Sequence, residues 1–250
     1  MLASRARIDR LRAAHAALAR RSFYPLTFAS ALACALLTVR IGRTHSWHYA
    51  FLAWNLLLAW PPYLASLWAD AWRRRRVGQS WRLLAPGALW LLLLPNAPYI
   101  VTDLMYLPAR RSDPYLFWYD VVTLAIFAWT GSMLGIISLS VIQDLVAALA
   151  GRVAGWLFVL GATGLCGVGV YLGRFHRWNS WDLLLNPRAI VIDVLQGLNR
   201  PWVHPYPRGL CALFALFVLV CYLTFTAAYV GGRAVAPVAS GRPAPPGDRA

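Results

Sequence analysis

Six long, mainly apolar runs dominate the chain, each close to the roughly 20 residues that a helix needs to cross the hydrocarbon core of a bilayer. They cover 23–41, 49–69, 83–101, 116–142, 153–173 and 210–230. The fourth is long enough to tilt. The pattern predicts an all-α fold, a polytopic transmembrane helix bundle of six spans. The connections are short except for 174–208, which holds an apolar segment of its own. Asn186 and Pro187 make a good helix start there, with Asn as cap and Pro in the first turn. Arg188, Asp193 and Gln196 leave the segment 187–198 too polar and too short to span, so it reads as an interfacial helix on the outer side.

The polar residues between the runs set the orientation. Residues 1–22 form a basic leader with six Arg, and an uncleaved first span is favoured over a signal peptide. With the N-terminus inside, fifteen of the 24 Arg fall on the inner side, in the leader, in Arg73–Arg76 with Arg82, at Arg152 and in the tail. This asymmetry predicts that both termini are cytoplasmic. The Pro/Ala/Gly-rich stretch 231–250 cannot bury a core and is expected to be a disordered cytoplasmic tail. The expected location is a bacterial cytoplasmic (inner) membrane.

Composition narrows the function classes. Hydrophobic residues make up 60% of the 250 positions and charged ones 13%, which excludes an ordinary water-soluble domain. The formal net charge of +15 comes wholly from Arg and Asp, with no Lys or Glu. Because the Arg residues punctuate apolar runs, their expected partner is the bilayer with its anionic headgroups and not nucleic acid. Cys34, Cys166, Cys211 and Cys221 each sit inside an apolar stretch and read as small core hydrophobes. His45 and His48 lie three apart near a span start without a third ligand, so no metal and no cofactor is expected.

Chemistry-bearing residues crowd the outer ends of spans three to five. L-P-N-A-P-Y-I-V-T-D (94–103) carries Pro95 and Pro98, which remove two backbone donors and should interrupt the helix. Asn96, Tyr99 and Asp103 then fall at i, i+3 and i+7, along one inward helical face. W-Y-D (118–120) follows Asp113-Pro114, a cap and first-turn pair, and so places Asp120 about two turns inside the fourth helix. A carboxylate at that depth must be paired, protonated or open to water. G-R-F-H-R-W-N-S-W-D (173–182) supplies Arg174 and Arg177, the expected partners of Asp103 and Asp120. Asn179 and Asp182 follow in the same motif, and Trp178 and Trp181 are expected at headgroup level. Small residues at four-residue spacing, Gly131 with Gly135, Gly151 with Gly155, and Gly169 with Gly173, predict close packing of spans four and five.

In this order, the three motifs resemble the signature of a bacterial multi-pass membrane protein family catalogued as a domain of unknown function. The resemblance covers 83–198 and implies no activity. Three readings of the outer cluster therefore stand side by side. It is a structural charge network that fixes helix packing, a transport or binding site for a small solute or lipid headgroup, or an enzyme site acting on a lipid-linked substrate at the outer leaflet. In the last, Asp103, Asp120 and Asp182 are the acid–base residues.

Overall fold

A computed structural model describes residues 12, 15, 16, 18–75, 83–107, 113–199 and 206–234. Most of the leader 1–22 and the end of the tail therefore lie outside the described residues. The described residues are mostly helical and contain no strand, in the order α1 (Phe23–Thr44), α2 (Phe51–Arg75), α3 (Leu84–Leu93), α4 (Asn96–Tyr99), a 3₁₀ segment (Ile100–Tyr106), α5 (Pro114–Ala150), α6 (Arg152–Tyr171) with a π turn (Leu172–His176), α7 (Asp182–Leu185), α8 (Pro187–Asn199) and α9 (Tyr206–Ala234). Among the described residues, five stretches are long and apolar enough to cross a membrane, namely Phe23–Thr44, Leu84–Tyr106, Pro114–Ala150, Arg152–His176 and Arg208–Ala228. The second predicted span, 49–69, is not among them, although α2 has 25 residues. Asn55, Pro61, Pro62, Ser66 and Asp70 make α2 the most polar leg of the bundle.

Two sets of ion pairs mark the two ends of the bundle. At the proximal end, near the start of α1, the Arg21 guanidinium reaches Asp70 of α2 at 3.2 Å and Asp144 of α5 at 3.3 Å. The Tyr63 hydroxyl donates to the Arg21 carbonyl at 2.9 Å. At the distal end Arg40 of α1 meets Asp120 of α5, and Asp103 meets Arg174 beyond α6. Successive legs therefore alternate in direction. In α9, the Tyr222 hydroxyl bonds Gln143, the neighbour of Asp144, so the last described leg runs back toward the proximal end.

α5 is the central strut. Its 37 residues extend about 55 Å at 1.5 Å per residue. As expected, Asp113 caps it, with Oδ1 accepting from the backbone N–H of Tyr115 at 2.9 Å and of Leu116 at 3.3 Å, and Pro114 occupies the first turn. One flank of α5 buries Trp90, Leu139, Val159, Cys166 and Tyr222. The other buries Leu37, Leu52, Leu56, Tyr63 and Phe127. The last helix is longer than predicted at both ends, since α9 runs over Tyr206–Ala234, and residues 231–234 of the expected tail are helical.

Where small residues permit close approach, the partner differs from the predicted one. A Cβ on Gly131 would lie 2.7 Å from the Ala97 carbonyl oxygen and from Ile100 Cδ1. Gly131 and Gly135 thus accommodate the interrupted third leg, and only Gly155, beside Ala147, serves the α5–α6 contact. Gly169 of α6 lies directly against the Pro95 ring and Gly173 against Tyr99. The helix break is clasped from both sides by glycine, whose missing side chains let the neighbouring backbones approach it closely.

Candidate functional site

The third leg builds the distal site because it changes helix type twice. α3 stops at Leu93, Leu94 and Pro95 turn, and α4 begins at Asn96. Pro98 has no N–H for the Leu94 carbonyl, and that oxygen instead accepts from Ala97 N at 3.1 Å. From Ile100 the chain winds as a 3₁₀ helix, in which residues three apart eclipse. Asp103 therefore follows buried Ile100 into the protein, while Asn96 and Tyr99 are half-buried. The single α-helical face predicted for Asn96, Tyr99 and Asp103 is split at this point.

Asp103 is 1% exposed and receives two partners. Asn55 Nδ2 donates to its Oδ2 at 2.7 Å, and Arg174 Nη1 to its Oδ1 at 3.3 Å. The same Arg174 nitrogen donates to the Tyr99 hydroxyl at 3.4 Å, and the guanidinium lies 4.8 Å from the centre of the Tyr106 ring. Arg174 with Asp103 is the pairing expected from the sequence.

Asp120 differs from expectation. It is fully buried, and its carboxylate is held by Arg40 of α1, with Nε to Oδ1 at 2.7 Å and Nη2 to Oδ2 at 3.3 Å. The two-point geometry suits Arg, whose planar fork matches a carboxylate. The Arg40 guanidinium also lies 4.2 Å from the Tyr49 ring centre, and the Tyr49 hydroxyl donates to the Tyr106 carbonyl at 3.1 Å. A continuous series of contacts thus crosses the distal end from Asp120 through Arg40, Tyr49, Tyr106 and Arg174 to Asp103. It joins α1, the turn before α2, α5, the 3₁₀ segment and the end of α6.

Arg177 takes no part. It ends the π turn with φ 58°, a left-handed conformation, is exposed, and has no carboxylate partner among the described residues. Asp182 and Asn179 bond each other, with Asp182 Oδ2 accepting from the Asn179 backbone at 2.7 Å. Trp181 is exposed, whereas the Trp178 indole donates to Asp193 of α8 at 2.7 Å and pins that helix to the loop. Ser180 Oγ donates to Asn96 Oδ1 at 3.3 Å, closing the loop over α4.

These elements border a half-open cavity of about 680 Å³ between α2, α3, α4, α6, the 178–180 loop and α8. Leucine and valine side chains with Pro95 form most of its wall, and Asn55, Asn96, Tyr99, Asn179 and Ser180 supply its polar groups. A volume in the range of about 300–1,000 Å³ and a mostly apolar wall with a few polar groups are typical of small-molecule sites. Asp103, Asp120, Arg174, Arg177, Trp181 and Asp182 do not line it. Among the described residues, no group of three or more His, Cys or Asp is placed to hold a metal ion.

Several residues that shape this end escaped the sequence reading. Arg40, Tyr49, Trp54, Asn55 and Tyr106 lie outside the motifs at 94–103, 118–120 and 173–182. Arg40 and Asn55 did carry a signal, as polar side chains embedded in apolar runs. Tyr49 and Tyr106 carried none, being ordinary aromatic residues near span ends.

A family profile matches residues 54–225, well over half of the chain, and is described as a protein of unknown function (DUF1361). The chain belongs to the DUF1361 family. No curated protein and no solved structure matches it. The matched range of this DUF1361 chain begins at Trp54, beside Asn55, and takes in the whole cavity lining, whereas Arg40 and Tyr49 precede it.

Proposed function

We propose that this DUF1361 protein crosses a bacterial cytoplasmic membrane six times, with both termini inside, and binds a lipid-like amphiphile in its distal cavity, which faces the outer leaflet. The observation that carries the binding reading is the cavity itself, a hydrocarbon-lined space with a separate set of hydrogen-bonding groups. That division matches a molecule with an acyl body and a polar head. α8 would lie along the interface, and the Arg-rich inner segments would rest on anionic headgroups.

The two buried ion pairs act as scaffold in this reading, one tying α1 to α5 and the other tying the 3₁₀ segment behind the cavity to the end of α6. Catalysis is disfavoured by placement. Asp103 and Asp120 are committed to Arg partners behind the wall, and Asp182 serves Asn179 in the loop, so no described carboxylate faces the cavity.

Binding is tested with the full chain in bilayers and a photoactivatable diacyl lipid. Labelling is expected on the α3 and α8 peptides that line the cavity. Val191→Trp, which adds bulk to the α8 wall, should lower capture by about ten-fold, equivalent to roughly 1.4 kcal/mol. Labelling spread evenly over the lipid-facing helices, unchanged by that substitution, would refute the site. For topology, His48 lies exposed between α1 and α2. A cysteine at that position should react with an impermeant maleimide added to the periplasmic side. Reaction only from the cytoplasm would invert the assigned orientation.

A further inference from the structure

The cavity is not lined by a single charged side chain among the described residues, although four surround it. Asp103 is turned toward Asn55 and Arg174, and Arg174 toward Asp103, Tyr99 and Tyr106. Asp182 is taken up by Asn179, and Asp193 by the Trp178 indole. The polar groups that do reach the space are the carboxamides of Asn55, Asn96 and Asn179, together with hydroxyls. Asn96 uses its oxygen to accept from Ser180, leaving its NH₂ group without a described protein partner. Asn55 uses its NH₂ group on Asp103, leaving its carbonyl oxygen. Tyr99 accepts from Arg174, leaving its O–H to donate. Donors and acceptors are therefore both on offer in the space, and Trp54 and Trp178 also line it.

Each headgroup class demands different chemistry. A phosphate is best met by Arg, Lys or convergent backbone N–H groups, and an ammonium by a carboxylate or an aromatic cage. Neutral hydroxyls are both donors and acceptors, which is what carboxamides and hydroxyls complement. A ring bearing hydroxyls at its edge and C–H groups on its face can also pack flat against an indole.

We infer that the ligand is a lipid with an uncharged, polyhydroxylated head of the glycosyl type, its head held by Asn55, Asn96, Tyr99 and Ser180 and its chain lying along α3 and α8. This rests on the binding reading proposed above and narrows it to one headgroup class.

The test uses the full chain in phosphatidylcholine nanodiscs, so that no sugar detergent occupies the cavity. A photoactivatable diacyl lipid reports occupancy, and unlabelled lipids of matched chains compete. Monoglucosyl diacylglycerol is expected to compete at least ten-fold better than phosphatidylglycerol or added phosphatidylcholine, and maltose alone should not compete. Asn96→Leu and Ser180→Ala, each checked for an unchanged melting midpoint, should remove the glucosyl advantage while the diacyl probe still labels the cavity. If phosphatidylglycerol or phosphatidylcholine competes as well as the glucosyl lipid, the headgroup assignment fails and amphiphile binding stands. Competition by maltose at the same strength would also overturn it, in favour of a soluble sugar. If the probe never labels the cavity peptides, both the assignment and the binding reading fall.

Discussion

Replacing Asp120 with Asn is expected to lower the stability of the protein in detergent by about 3–5 kcal/mol, the usual result of removing one partner from a buried ion pair. Arg40 is 3% exposed, and its guanidinium would be left with a carboxamide where it now has a carboxylate. The loss should appear as a smaller folded fraction in size-exclusion profiles and as a lower thermal midpoint. Arg40→Gln combined with Asp120→Asn should recover part of the loss, because the uncompensated charge is then gone. A normal midpoint for Asp120→Asn, together with loss of a cellular phenotype, would instead make the pair a working part of the protein. The same change at Asp103 should be milder. There Asn55 remains as a partner, and the Arg174 side chain, at 11% exposure, retains some access to solvent.

The other large effect is expected at Trp90, which is fully buried and the largest fully buried side chain described. Its ring lies 5.8 Å from that of Phe158 on α6, and its indole N–H donates to Ser138 Oγ of α5 at 3.0 Å. Trp90→Ala should cost about 3–5 kcal/mol, since a void of that size cannot be refilled by the surrounding helices. Within a membrane the lost term is packing more than water exclusion, because lipid is as apolar as the protein interior. Trp90→Phe should cost about 1 kcal/mol, close to the value of the missing hydrogen bond. Trp90 also anchors α3, whose Ala88, Leu91 and Leu92 form one wall of the cavity. Lipid capture should therefore fall with Trp90→Ala and persist with Trp90→Phe. A Trp90→Ala protein with an unchanged midpoint would show that α3 is held elsewhere.

The two parts of the site differ in how far the sequence disclosed them. Pro95 and Pro98 announce a break because proline lacks a donor wherever it stands, and the break is present at Leu94–Pro95. Asp113-Pro114 announces a helix start for an equally local reason, and Asp113 caps α5. No local feature of the sequence pairs Asp120 with Arg40 in preference to Arg174 or Arg177. Arg40 is 80 positions away, and only the packing of α1 against α5 brings it to the carboxylate. Arg177 ends the π turn in a left-handed conformation and is exposed, without a carboxylate partner among the described residues.

Local sequence thus dictates the helical legs, their apolar character, the interruption of the third and a short helix starting at Pro187, read from the sequence as 187–198. These follow from run length, hydropathy and the backbone chemistry of proline and capping residues, all of which act within a few positions. What only the tertiary structure decided is which charges neutralise one another, that Asp103 turns inward while Asn96 and Tyr99 face open space, and that α2, α3, α6 and α8 leave a cavity with no described charge on its wall. Ion pairing and enclosure depend on distances between helices far apart in the chain, and no spacing along the sequence encodes those distances.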